Sequence, residues 1–220
     1  MKTTYSFPVD AVLLLGPTGS GKSPLGEYIS RNGFFGKKAH HLDFGAELRA
    51  VISLNDPSLL YTSSEIAFIE GVLKHGLLLE NHHFPIARKI IGSFLDRSGY
   101  SSDDVLILNG IPRHAGQARD ITSVAAIQTL VMLDCSVVSV FCRLRDNMGG
   151  DRTARFDDDD ALVAKKLRLY NERTAPLVDH YRSLGTAILT VSISSTTTEE
   201  EAYRQILNAY PRSPTSPLCR

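Results

Sequence analysis

The sequence predicts an α/β fold in three layers, a five-stranded parallel sheet with helices on both faces. Three observations predict it. Short apolar runs recur at residues 11–15, 39–43, 105–109, 130–134 and 187–191. Each has strand length, and none approaches the ~20 apolar residues of a membrane-spanning helix. Stretches of helical spacing lie between the runs, an alternation that favours a parallel sheet. The first run also leads straight into a glycine-rich stretch, "LLLGPTGSGKSP", at residues 13–24.

That first run is continuously apolar, as expected of a strand buried on both faces. Gly16, Gly21, Lys22 and Ser23 then match the phosphate-binding pattern G-x-x-x-x-G-K-[ST]. Leu25, Tyr28 and Ile29 recur at helical spacing, so the context is strand, glycine loop, helix. Glycines let such a loop turn its N–H groups onto an anion, and the helix start adds partial positive charge. Lys22 would reach the outer phosphates and the Ser23 hydroxyl would sit on Mg²⁺. The alternative, a merely flexible glycine turn, does not account for the strand and helix that flank it.

The second run enters "LDFGAELR" and the third enters "LNGIPRHAGQ". Ligands of parallel sheets gather beyond the carboxyl ends of the strands. Arg49 and Arg113 follow these two strands, and a guanidinium is a planar fork that fits phosphate oxygens. Either arginine alone would read as a surface residue. Beside a phosphate loop, the pair suggests a second phosphate. Residues 55–99 form a mostly helical insert. Residues 146–157, "DNMGGDRTARFD", form a short polar loop between two helices. The tail at 211–220 carries prolines and serines and reads as loosely packed.

The 220 residues and 43% hydrophobic content suit one domain with a substantial core. A formal net charge of zero gives no global attraction to nucleic acid or a membrane. "MKTTYSFPVD" lacks a signal-peptide pattern. Cys135, Cys142 and Cys219 are odd in number without C-x-x-C spacing, which favours a reduced cytoplasmic setting over disulfides or zinc. Cys135 and Cys142 are most simply buried small apolar residues. The pairs His40–His41 and His82–His83 lack the spacing of a helical metal site. Asp159 and Asp160 read as acids solvated at a helix start.

Four stretches in order resemble the adenylate kinase and nucleoside monophosphate kinase family, over residues 10–208. "GPTGSGKSP" is similar to the family loop G-P-P-G-S-G-K-G-T, "DFGAELR" to S-T-G-D-L-L-R, and "LNGIPRHAGQA" to L-D-G-F-P-R-x-x-x-Q-A. "ARFDDDDALVAKKLRLYNERTAPLV" resembles G-R-x-D-D followed by a helix ending T-x-P-L. The resemblance implies a P-loop NTPase fold with a helical insert for the nucleoside monophosphate (NMP) at 55–99 and a short lid at 146–157. The core would be 10–54, 100–145 and 158–210 of a single kinase domain. It implies that Gly16, Gly19, Ser20, Gly21, Lys22 and Ser23 hold ATP, with Arg145 or Arg152 as the arginine before the lid. Phe44, Arg49, Leu79, Gly110, Arg113 and Gln117 would surround the NMP, with Gln117 pairing with the base. Arg113, Arg155 and Lys166 would join Lys22 at the moving phosphoryl group, and Asp157 and Asp158 would pair with lid arginine.

Three positions depart from the family pattern. Phe44 stands where a small hydroxyl residue is usual. Asn109 replaces the aspartate that helps hold the metal through water, and Lys166 replaces an arginine. The expected activity is ATP + AMP giving two ADP, with Mg²⁺ as the only cofactor. The expected protein is a cytoplasmic monomer with no nucleic-acid or membrane partner. A kinase for another NMP or small acceptor, and a nucleotide-binding module with little turnover, remain open beside it.

Overall fold

A computed structural model describes residues 5–54, 60–148, 150 and 160–210. Five strands, β1 (Val9–Leu15), β2 (Ala39–Asp43), β3 (Val105–Asn109), β4 (Ala125–Cys135) and β5 (Ala187–Ile193), form one parallel sheet in the order β2-β3-β1-β4-β5. The strand feeding the glycine loop is thus central. Its continuous apolar run has a direct cause: Ala11, Leu13 and Leu15 enter the core on one face, and Val12 and Leu14 enter the core on the other. Leu106 and Leu108 of β3 alternate with Val105 and Ile107 in the same way.

The helices fill both outer layers. On one face lie α1 (Lys22–Asn32) and α9 (Glu199–Ala209), which supply Leu25, Ile29, Ala202 and Ile206 to their core. The other core receives α2 (Phe44–Ile52), α3 (Ser63–His75), α4 (Phe84–Ser98), α5 (Ala115–Asp120) and α8 (Leu177–Ser183). The helices α6 (Val137–Arg145) and α7 (Asp160–Leu169) flank the segment read as the lid. Local chemistry sets several helix starts. Thr62 with Glu65 and Thr198 with Glu201 form reciprocal capping boxes for α3 and α9. Asp43 caps α2 by accepting from the Ala46 N–H at 3.0 Å.

Strands β2 and β3 coincide with the apolar runs, while β1, β4 and β5 are longer. The largest difference is β4, which begins at residue 125 rather than 130. The polar pair Gln128–Thr129 hid its first half. Ala11 and Val12 of β1 face Ile127 and Thr129, so the register skips Gln128 and the strand continues past a bulge. A second correction concerns Cys135 and Cys142, which are free and half-buried rather than buried. Cys135 closes the carboxyl end of β4, paired with Ile193 of β5, and Cys142 lies beside exposed Phe141 on α6. Among the described residues, no helix is long and apolar enough to cross a membrane.

Candidate active site

The carboxyl ends of β1, β2 and β3 open on one cleft. Its lining includes Gly16, Gly19, Gly21, Lys22 and Ser23 from the glycine loop and the start of α1. Gly21 sits at φ 92° immediately before α1, a left-handed conformation that favours glycine. A Cβ on Gly16 would come within 2.7 Å of Ser20 Oγ, so the loop closes only around a glycine there. Ser20, expected at the ATP, is instead fully buried and does not line the cleft; its Oγ lies 3.5 Å from the Lys22 ammonium. The Lys22 ammonium donates to the Gly16 carbonyl at 2.8 Å and the Pro17 carbonyl at 2.7 Å. Both are neutral acceptors that a phosphate oxygen can replace.

Beside the loop lies a polar triangle. Ser23 Oγ donates to Asp43 Oδ2 at 2.5 Å. Asn109 Nδ2 donates to Ser23 Oγ at 3.1 Å and to Asp43 Oδ2 at 3.2 Å. Strand pairing produces this contact, because Asp43 of β2 and Asn109 of β3 are register partners. His41 supports it from below, its Nε2 at 3.4 Å from Asn109 Nδ2 and its Nδ1 at 3.0 Å from Glu27 Oε1. The hydrogen bond with His41 lowers the pKa of Glu27. The Ser23 hydroxyl and Asp43 carboxylate oxygens are hard donors of the kind Mg²⁺ takes, few in number as its phosphate-bound sites require, while the Asn109 amide turns its nitrogen toward them.

On the far side, Phe44, Arg49, Leu79, Gly110, Arg113 and Gln117 line the same cleft, and Lys166 of α7 borders it. Phe44 is 3% exposed and packs into the core while touching the cleft. Burial lowers the pKa of Arg113, yet a guanidinium remains charged at any ordinary pH. Gln117 is fixed at both ends of its amide. Its Oε1 accepts from the Arg113 N–H at 2.7 Å, and its Nε2 donates to the Leu79 carbonyl at 2.9 Å. His114 Nε2 lies 2.8 Å from the same carbonyl. The insert is tied to the segment after α7 by Arg173, which grips Glu80 with two bonds of 2.6 and 2.9 Å.

One assignment is corrected. Arg145, expected at the ATP, is 75% exposed and paired with Asp146 at 2.8 Å, outside the cleft. Arg143 takes the interior position at 6% exposure. It donates to the carbonyls of Gly19 at 3.2 Å, Ser194 at 3.1 Å and Thr197 at 2.7 Å. The reason is helical phase: Val140 and Arg143 share the buried face of α6, and Arg145 lies two residues, about 200°, further round. Residues Arg152, Arg155, Asp157 and Asp158 lie outside the described residues.

Asp43 and Arg143 are the site residues that sequence reasoning missed. An acid ending a strand next to a phosphate loop was a readable signal for Asp43. The apolar partner three residues before Arg143 was a weaker one. Among the described residues the cleft carries five cationic side chains, Lys22, Arg49, Arg113, Arg143 and Lys166, and a single carboxylate, Asp43. Such a lining suits a polyanion.

A scan of the sequence against protein-family models finds no match. Curated relatives are found at low identity. An adenylate kinase of Prochlorococcus marinus is 28% identical over 79% of this chain and 84% of its own. One of Phocaeicola vulgatus is 29% identical over 79% and 85%. Among solved structures, a sugar kinase from Janibacter sp. matches at a TM-score of 0.50 and 14% identity, covering 92% of this chain and 94% of its own. That likeness concerns the fold alone. The chain is thus similar in sequence to adenylate kinases, which are phosphotransferases, over about four fifths of its length.

Proposed function

We propose that the protein is a nucleoside monophosphate kinase that transfers the γ-phosphoryl group of Mg·ATP to AMP. One observation carries this reading: the phosphate loop and the pair Arg49 and Arg113 line the same cleft. The chemistry asks little covalent work of the protein. Positioning and charge stabilisation suffice for an in-line transfer between two bound phosphates. Loop N–H groups and Lys22 hold the donor phosphates. Arg49 and Arg113 orient the acceptor phosphate, and Arg113 with Lys166 gathers charge at the group in flight. Arg155 joins them on this reading. Ser23 would hold Mg²⁺, which would supply charge neutralisation at the donor phosphates. We expect a monomer in a reduced, cytoplasmic setting, consistent with the free thiols of Cys135 and Cys142.

The reading is tested by mixing Mg·ATP with AMP, CMP, UMP, GMP and dTMP and following diphosphate formation. AMP should be fastest, because a site that hydrogen-bonds one base edge penalises others by about 1–3 kcal/mol per unpaired group. A different reading, another small phosphorylated acceptor, is favoured by the amide of Gln117, whose two ends are already engaged by Arg113 and Leu79 and so are less available to a base edge. Faster turnover of another monophosphate would select it. Nucleotide binding with no diphosphate from any acceptor would leave a binding module.

A further inference from the structure

A carboxylate at the end of β2 sits where polyphosphate is expected. Asp43 is the single acidic side chain among the described residues of a cleft that carries five cations. A carboxylate facing phosphate oxygens without an intervening cation is repulsive, and burial strengthens that repulsion. The structure nevertheless aims it inward. Asp43 Oδ2 touches the Ser23 hydroxyl at 2.5 Å, while Oδ1 is occupied by the Ala46 N–H at 3.0 Å. The helix cap thus uses one oxygen and leaves the other on the side of the glycine loop. Asn109, from the neighbouring strand, is neutral and directs its amide N–H at this same oxygen at 3.2 Å. His41 and Glu27 stand behind that amide and hold its N–H side toward Asp43.

We propose that Asp43 is the protein carboxylate that holds the nucleotide's Mg²⁺ together with Ser23, and that Asn109 is a positioning residue for Asp43 rather than a group at the metal. The proposal rests on the phosphotransferase reading above. Its physical basis is a division of labour between adjacent strands. The charge sits on β2, and the amide on β3 donates to it and sets its direction. A carboxylate at both positions would place two like charges about as close as Asn109 Nδ2 and Asp43 Oδ2 now lie, 3.2 Å apart. Asp43 and Ser23 would give the metal two protein oxygens, in keeping with the few protein ligands that Mg²⁺ takes beside phosphate.

The test measures binding, separately from turnover. The full chain is titrated with β,γ-imido-ATP by calorimetry at a series of Mg²⁺ concentrations, for wild type, Asp43→Asn and Asp43→Asn/Asn109→Asp. Asparagine caps a helix as well as aspartate does, so the fold of Asp43→Asn is expected to survive. Wild-type affinity should rise with Mg²⁺. In Asp43→Asn, binding without metal should stay equal or tighten, and the Mg²⁺ needed for half the effect should rise about tenfold. The double variant returns a carboxylate to the triangle and should recover much of the Mg²⁺ dependence, which a purely structural role for Asp43 would not allow. An unchanged Mg²⁺ dependence in Asp43→Asn overturns the proposal and leaves the kinase reading standing. So does a folded double variant that recovers nothing, or metal-free binding that collapses in Asp43→Asn. Wild-type protein that binds no nucleotide at any Mg²⁺ concentration removes the kinase reading itself.

Discussion

Replacing Arg143 by Met separates the arginine that sequence reasoning chose from the one that the fold uses. Methionine refills the aliphatic part of the site with a flexible apolar chain. The guanidinium bonds to Gly19, Ser194 and Thr197 vanish together. Hydrogen bonds to charged donors contribute about 1.5–3 kcal/mol each, and a buried carbonyl left alone costs about 1–3 kcal/mol. Ser194 is exposed, so its carbonyl recovers water, whereas Thr197 is only 9% exposed. A net loss of about 3 kcal/mol is therefore expected. At about 2–4 °C per kcal/mol for a chain of this size, the melting temperature should fall by about 6–12 °C. The glycine loop loses its brace at Gly19 as well, so the KM for ATP should rise. The comparison is Arg145→Met, which removes an exposed pair with Asp146 and should leave both melting temperature and KM unchanged. Thermal unfolding and initial rates at varied ATP, run on both variants, decide the matter. If Arg143→Met melts with wild type, or if Arg145→Met shows the larger effect, the reasoning from helical phase and burial is wrong.

Further outcomes follow from the same geometry. Lys22→Ala should keep the fold, because Lys22 is a half-exposed residue of the loop and start of α1 and not of the core, and should lower turnover by about 10²–10³, the loss typical of a preorganised donor; near-normal rates in a folded variant would count against the phosphate assignment. Arg49→Ala should raise the KM for the acceptor, while Arg113→Ala should lower kcat as well, because only the latter is assigned to the moving group; steady-state kinetics at varied AMP distinguish the two. Glu80 links the insert to Arg173, whose hydrogen bond holds the Glu80 carboxyl below its ordinary value of 4.5. A depressed carboxyl stabilises the fold above its unfolded value and loses that contribution as pH falls through the folded value. Wild type should thus exceed Glu80→Gln in stability at neutral pH, and the gap in urea midpoints should narrow steadily as pH falls below the ordinary carboxyl value; a gap of constant size into strongly acidic solution would show that charge is not the cause.

The sequence by itself determined the sheet, the phosphate loop and the strand ends that meet at the cleft. Strand β1 is apolar at every step from Ala11 to Leu15 because helices cover both faces of its sheet, and that pattern is local. The loop is legible for the same reason: Gly16, Gly21, Lys22 and Ser23 act through backbone conformation and spacing within a few residues. Arg49 and Arg113 were read from their places after two strand ends, and Leu79, Gly110 and Gln117 through resemblance; all five line one cleft in the fold. Tertiary structure decided what depends on phase and on neighbours distant in sequence. A bulge at Gln128 concealed half of β4. The choice of Arg143 over Arg145 rests on which face of α6 meets carbonyls more than fifty residues away in Thr197 and over a hundred away in Gly19. Asp43 read as the polar end of a strand until register pairing set it against Asn109 and helix α1 set it against Ser23. Periodicity records burial along one segment. A charged side chain takes its role from the groups that other segments bring within hydrogen-bond reach, and only the folded chain specifies those.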